Sequence, residues 1–339
     1  MQAPVSILLL LSVFLSSGCS KDTTNGNNNT NTAFFAKGAD ISWVSEMEAN
    51  GKKFYDSTGQ QQDIVTLLKS YGMNTIRLRI WVNPSAGWNN AADVLSKARR
   101  AAAAGMHILL DFHYSDSWAD PGQQTKPVAW QSLNFNTLKD SLQNHTLGVL
   151  NYLKAGGISP DWVQVGNETN DGMLWPDGKA SASMSNFSEL VKTGYNAVKT
   201  VFPAAKVIVH ISNGYDNSLF RWIFDGLKAN NVNWDVIGMS LYPAVSDWQL
   251  RNDQCLVNMQ DMVSRYGKEV MLVEVGMPWD QPAACRSFLA DIISKTKSLT
   301  ANKGLGVLYW EPECYSWQGY TLGCFDLNGR PTTAMNAFR

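Results

Sequence analysis

The chain has 339 residues, 45% hydrophobic and 17% charged, with a formal net charge of −1. That length is enough for one large domain with a sizeable core. Near-neutrality argues against nucleic acid as a partner and provides no field to steer an anionic substrate, whereas an uncharged polymer would suit it.

In chain order, the first feature is a short apolar run, Ile7 to Leu11 and on to Leu15, followed by Ser16, Ser17, Gly18 and Cys19. It is too short to span a bilayer and ends in small residues, the pattern of an export signal. The Gly18–Cys19 junction resembles a bacterial lipoprotein cleavage site. The expectation is therefore a signal over residues 1–18 and lipidation of Cys19, with plain secretion as the alternative. Residues 19–34 are rich in Asn and Thr, have little to bury, and read as a flexible linker to a domain over 35–339. The predicted location is the outer membrane or cell surface, with membrane contact through the lipid alone.

Strand-like and helix-like segments then alternate to the end. Strands are expected at Lys37–Ile41, Thr75–Ile80, His107–Phe112, Trp162–Val165, Lys206–Ile211, Val236–Ser240, Val270–Val273 and Gly306–Tyr309. Amphipathic runs fall at Gln62–Tyr71, Ala92–Ala104, Leu138–Lys154, Asn186–Val201, Ser218–Asn230, Cys255–Tyr266 and Cys285–Asn302, several closing on Gly or Asn. This α/β alternation predicts a single (β/α)8 TIM barrel. An open doubly wound sheet is the alternative, but no Gly-x-Gly-x-x-Gly follows the first strand.

Polar residues gather where these strands end. They are Asp40, Arg79, His113, Asn167 with Glu168, His210, Tyr242, Glu274, and Trp310 with Glu311. In a parallel barrel that end is the floor of the active site. Any one of them could serve folding alone, Asp40 or Glu311 as a helix cap and His210 as a satisfied interior histidine. The set is hard to explain as packing. Glu168 and Glu274 are the pair a retaining glycosidase needs, one to protonate the leaving oxygen and one to attack the sugar carbon. Glu168 then requires burial or a neighbouring negative charge to hold its proton, and Glu274 a cation such as Arg79 to stay ionised. Tyr242 is placed to orient the nucleophile and Asn167 to hold a sugar hydroxyl. Trp310 is placed to floor the central subsite. Asp40, Arg79, His113 and His210 complete the expected substrate contacts, with Trp118 the favoured stacking platform among Trp118, Trp130, Trp175 and Trp317.

Other chemistries find little support. The histidines at 107, 113, 145 and 210 lack metal-binding spacing, and no Gly-x-Ser-x-Gly elbow occurs. No cofactor is expected. Beyond Cys19 there are four cysteines, with no zinc-type spacing. In an oxidising compartment Cys314–Cys324 is the favoured disulfide and Cys255–Cys285 the second, with free buried thiols as the alternative.

Several longer motifs carry a resemblance. Gly38-Ala-Asp-Ile-Ser-Trp43, Arg77-Leu-Arg-Ile-Trp-Val-Asn-Pro84 and Leu110-Asp-Phe-His-Tyr-Ser-Asp-Ser-Trp-Ala-Asp-Pro-Gly122 are similar to the family 53 endo-β-1,4-galactanases. So are Val165-Gly-Asn-Glu-Thr-Asn-Asp-Gly-Met-Leu-Trp-Pro176 and Tyr309-Trp-Glu-Pro312. The resemblance runs from about Lys37 to the C-terminus. It implies that Glu168 is the acid/base, Glu274 the nucleophile, and pectic β-1,4-galactan the substrate, cleaved internally; a barrel enzyme of this kind can work as a monomer, which is the expected state. The second half departs from the family pattern at Ser240-Leu-Tyr-Pro-Ala244 and Glu274-Val-Gly-Met-Pro-Trp279. Relatives from bacteria often carry calcium between the loops after strands seven and eight. Here Glu313 to Cys324 lacks a dense run of oxygen ligands, so a disulfide is expected to brace that loop, with calcium as the alternative. The competing functions are a retaining hydrolase of mannan or β-glucan and a non-catalytic glycan-binding lipoprotein; retention of both glutamates argues against the latter.

Overall fold

Eight short runs rich in β-branched and apolar residues pair side by side and in parallel until the last closes on the first. In a computed structural model, which describes Met1 and residues 34–339, they are β1 (Ala36–Asp40), β2 (Thr75–Ile80), β3 (His107–Phe112), β4 (Trp162–Val165), β5 (Lys206–Ile211), β6 (Val236–Leu241), β7 (Glu269–Val275) and β8 (Gly304–Trp310). Register fixes closure: Asp40 of β1 lies opposite Arg77 of β2 on one side and Trp310 of β8 on the other. The fold is thus the (β/α)8 barrel that the alternation predicts. The expected signal, the Cys19 lipid site and the linker to residue 33 lie outside the described residues.

Side chains alternate across each strand, so residues two apart share a face. Leu109, Ile208 and Leu308, with Ala36 and Met271, form an apolar layer in the barrel interior. Two residues further along the same strands come Asp111, His210 and Trp310. An apolar plug below and a polar layer above is what alternation produces when the second-last inward position is apolar and the last is polar. Strand β7 breaks the rhythm. Relative to both neighbours it holds one extra residue, pairing Leu272 with Met239 but Glu274 with Ser240. That bulge re-aims Glu274.

The outer ring is α1 (Val44–Ala49), α2 (Ile64–Ser70), α3 (Ala91–Ala103), α4 (Phe135–Ala155), α5 (Met184–Val201), α6 (Asn217–Ala229), α7 (Trp248–Tyr266) and α8 (Pro282–Lys297). Asp63, Asn90, Asn134, Ser183 and Asp216 cap their helices by accepting backbone N–H bonds from the first turn. Helix α1 is absent from the sequence expectation because six residues give too little periodicity to read.

The expected disulfides, Cys314–Cys324 and Cys255–Cys285, are not formed; all four thiols are free and buried. Closeness in sequence does not aim the side chains. Cys314 turns its thiol to the Tyr320 carbonyl at 3.6 Å, and Cys285 instead faces Cys324 at 3.9 Å. Even that separation is well beyond a bond of about 2.05 Å.

Candidate active site

A cleft of about 350 Å³ opens at the carboxyl ends of the strands, lined by His113, Trp118, Asn167, Glu168, Tyr242, Glu274, Trp310 and Tyr320 together with Ala119, Asp120, Pro121, Ser212 and Asn213. A larger hollow, of about 730 Å³, lies at the opposite end, where β4 and β5 begin. Asp161 is the only carboxylate in its lining, so it lacks the paired acids of a glycosidase.

Glu274 is fixed by two donors. Arg77 Nη2 lies 2.8 Å from one carboxylate oxygen, and the Tyr242 hydroxyl donates to the other at 2.9 Å. The expected cation was Arg79; the structure corrects this to Arg77, two residues earlier on the same face of β2. Arg77 also binds Asp40 at 2.7 Å, Asp111 at 2.8 Å and the Asn167 side-chain oxygen at 3.0 Å. Although burial alone would lower its pKa, Asp111, Glu274 and Asp40 together raise it, so the guanidinium is charged at every working pH. Its five N–H donors in a rigid fork allow one side chain to hold three carboxylates at once.

Glu168 is held differently. It follows Gly166, whose φ is +82°, and itself adopts φ +44°, a left-handed backbone uncommon for a side chain this large. A Cβ on Gly166 would lie 2.6 Å from the Thr169 methyl, so glycine is required there. One Glu168 oxygen accepts from the Ser240 hydroxyl at 2.7 Å, and Ser240 in turn faces His210 Nε2 at 2.7 Å. The Glu168 amide points to His210 Nδ1 at 3.3 Å, which makes Nδ1 the acceptor and places the ring proton on Nε2. Burial holds the His210 pKa well below its usual value, so the ring is neutral. The result is a directed chain, His210 to Ser240 to Glu168.

Burial raises both carboxyls well above the ordinary carboxylate range; Glu168 raises Glu274 further, while Arg77 pulls both down. The two behave as a pair holding one proton near neutral pH. Donors decide where it sits. Glu274 faces a permanent cation and a phenol, and Glu168 a single hydroxyl, so the charge belongs on Glu274 and the proton on Glu168.

Of the expected substrate contacts, His113, Trp118, Asn167, Tyr242 and Trp310 reach the cleft. His113 accepts the Ala119 amide on Nδ1 at 3.2 Å and faces Asp111 through Nε2 at 2.9 Å, so Nε2 carries its proton. Asp40, Arg79 and His210 do not reach it; all three are fully buried behind its wall, where Asp40 binds Arg77 and His210 faces Ser240. Trp130 is buried, and Trp175 and Trp317 are absent from the lining. Sequence reasoning missed Arg77, Asp111, Gln164 and Ser240. Each is a polar residue inside an apolar strand run, a signal that was present in the sequence. Among the described residues, no group of three or more His, Cys, Asp or Glu could hold a metal ion.

The comparisons agree with this geometry. The profile of Glycosyl hydrolase family 53 matches residues 36–338. An uncharacterised protein of Niallia circulans is 38% identical over 90% of this chain and 93% of its own length. An arabinogalactan endo-β-1,4-galactanase of Humicola insolens is 34% identical over 81% of this chain and 89% of its own. Among solved structures, the family 53 catalytic domain from Ignisphaera aggregans superposes with a TM-score of 0.82 at 31% identity, covering 90% of this chain and 95% of that one. With a match over nearly the whole barrel and both glutamates in place, the chain belongs to glycosyl hydrolase family 53.

Proposed function

We propose that this protein is an endo-acting β-1,4-galactanase that cleaves pectic (arabino)galactan with retention of configuration. The observation that carries the reading is the asymmetry of the pair: Glu274 is tied to Arg77 and Tyr242, and Glu168 is tied to Ser240, in one cleft. In the first step Glu168 gives its proton to the glycosidic oxygen. The Glu274 carboxylate attacks the anomeric carbon, and the shortened chain leaves with a new 4-hydroxyl. In the second step Glu168, now ionised, takes a proton from water. That water breaks the glycosyl ester and frees Glu274. Water is the only co-reactant, and no step calls for a metal or cofactor. The names of the fungal relatives support galactan as the polymer.

Linear β-1,4-galactan, mannan and β-glucan, each digested by the wild type and by Glu274→Ala, test the reading. Short galacto-oligosaccharides of retained β configuration from galactan alone, lost in the variant, are expected. Cleavage of another polymer instead, or an inverted first product, would overturn it. We further propose that the chain is exported and held as a monomer by a lipid on Cys19. Labelled palmitate should enter the wild type and not Cys19→Ala; an unlabelled soluble product would point to plain secretion.

A further inference from the structure

Arg79 is a fully buried cation with an unusual set of neighbours. None of its three side-chain nitrogens has a hydrogen-bond partner among the described residues. Its nearest carboxylate oxygen, on Glu311, is 3.7 Å away, beyond hydrogen-bond distance. Glu311 and Glu313 are both fully buried; burial raises both carboxyls, and Glu313 raises Glu311 further while the Glu311 side chain pulls Glu313 down, so the two share a proton and together bring at most one negative charge to this region. What surrounds the guanidinium is indole. Its central carbon lies 4.2 Å from the ring centre of Trp118, 4.9 Å from Trp81 and 5.9 Å from Trp43.

These rings are linked to one another. Trp118 meets Trp81 edge-on at 5.3 Å, Trp43 at 5.8 Å and Trp310 at 5.9 Å, and both Trp118 and Trp310 line the cleft. Arg79 covers one face of Trp118. A planar, weakly hydrated cation suits that place, since it stacks flat on a ring at little desolvation cost, whereas a compact ammonium does not.

We propose that Arg79 is the positioning residue of the sugar-binding wall: its guanidinium, stacked behind Trp118 and flanked by Trp81 and Trp43, sets the orientation in which Trp118 receives a galactosyl ring. The inference rests on the galactanase reading for its substrate but not for its structural content. Arg79 acts through Trp118 and touches neither the substrate nor the catalytic glutamates.

The test compares Arg79→Met, Arg79→Lys, Trp118→Ala and the doubles of each arginine variant with Trp118→Ala. Arg79→Met should raise KM on linear galactan about tenfold and leave kcat within about threefold. Arg79→Lys should raise KM about threefold. In each double, KM should be no higher than in Trp118→Ala alone, because the arginine has nothing left to position. Near-ultraviolet circular dichroism without substrate should show the tryptophan bands altered in both single arginine variants. Should Arg79→Met fail to fold, Arg79→Lys carries the same comparison. An unchanged KM, a fall in kcat alone, or doubles that add fully would overturn the proposal. Wild-type inactivity on galactan, with the dichroic change intact, would instead overturn the galactanase reading and leave the positioning role standing.

Discussion

Replacing Ser240 by alanine tests the relay behind the acid. The hydroxyl donates to Glu168 at 2.7 Å and accepts from His210 at 2.7 Å, so one oxygen serves both groups. A donor stabilises the ionised carboxylate more than the protonated one, and its removal must raise the pKa of Glu168. A hydrogen bond to a charged group contributes about 1.5–3 kcal/mol. If the protonated acid keeps part of that, the difference is about 1.4 kcal/mol, or roughly one pKa unit. Burial already holds Glu168 above the ordinary carboxylate range. The alkaline limb of kcat/KM follows loss of the acid's proton. In Ser240→Ala that limb should move to higher pH by about one unit, with less than about a tenfold loss at the optimum. Rates on soluble galactan across pH 4 to 9 at constant ionic strength would show it. The variant also strands the His210 Nε2 proton in the core, at a cost of about 1–3 kcal/mol in stability; thermal melts would establish that the fold survives at the assay temperature. A limb that stays in place, or moves to lower pH in a folded variant, would refute the assignment of Glu168 as the proton donor controlled by Ser240.

Other outcomes follow from the same contacts. Tyr242→Phe removes one of the two donors to Glu274 and should lower kcat by about 10- to 100-fold while moving the acidic limb to higher pH, because the nucleophile is then harder to ionise. Arg77→Met leaves Asp40, Asp111 and Glu274 buried without their cation and should cost about 3–5 kcal/mol, read as a large fall in melting temperature. Arg77→Lys should fold more readily but lose at least about 100-fold in kcat, since an ammonium cannot reproduce the fork; near wild-type activity would show that the fork is dispensable. In Cys19→Ala, four thiols should react with a thiol reagent only after denaturation, and fewer than four would mean that a disulfide forms after all.

The strands, their order and the two glutamates that meet in one cleft were legible because alternation, apolar runs and polar strand ends are local properties. The assignment of partners was not. Arg77 and Arg79 are two residues apart on one strand face, and nothing local distinguishes them. Register does: Arg77 sits level with Asp40 and reaches Asp111 and Glu274, whereas Arg79 rises into the tryptophan wall. The thiols fail for the same reason. Only nine residues of loop separate Cys314 and Cys324, but side-chain direction depends on the loop's path past Tyr320.

By itself, the sequence determined the barrel, the two glutamates and the family, because period, composition and motif identity are carried along the chain. Only the tertiary structure decided that Arg77 binds Glu274, that His210 and Ser240 stand behind Glu168, that the β7 bulge sets Glu274 level with Ser240, and that Arg79 stacks behind the cleft instead of opening into it. These are contacts between strands far apart in sequence. Barrel closure and the register of eight pairings fix them together, and no single segment contains that information.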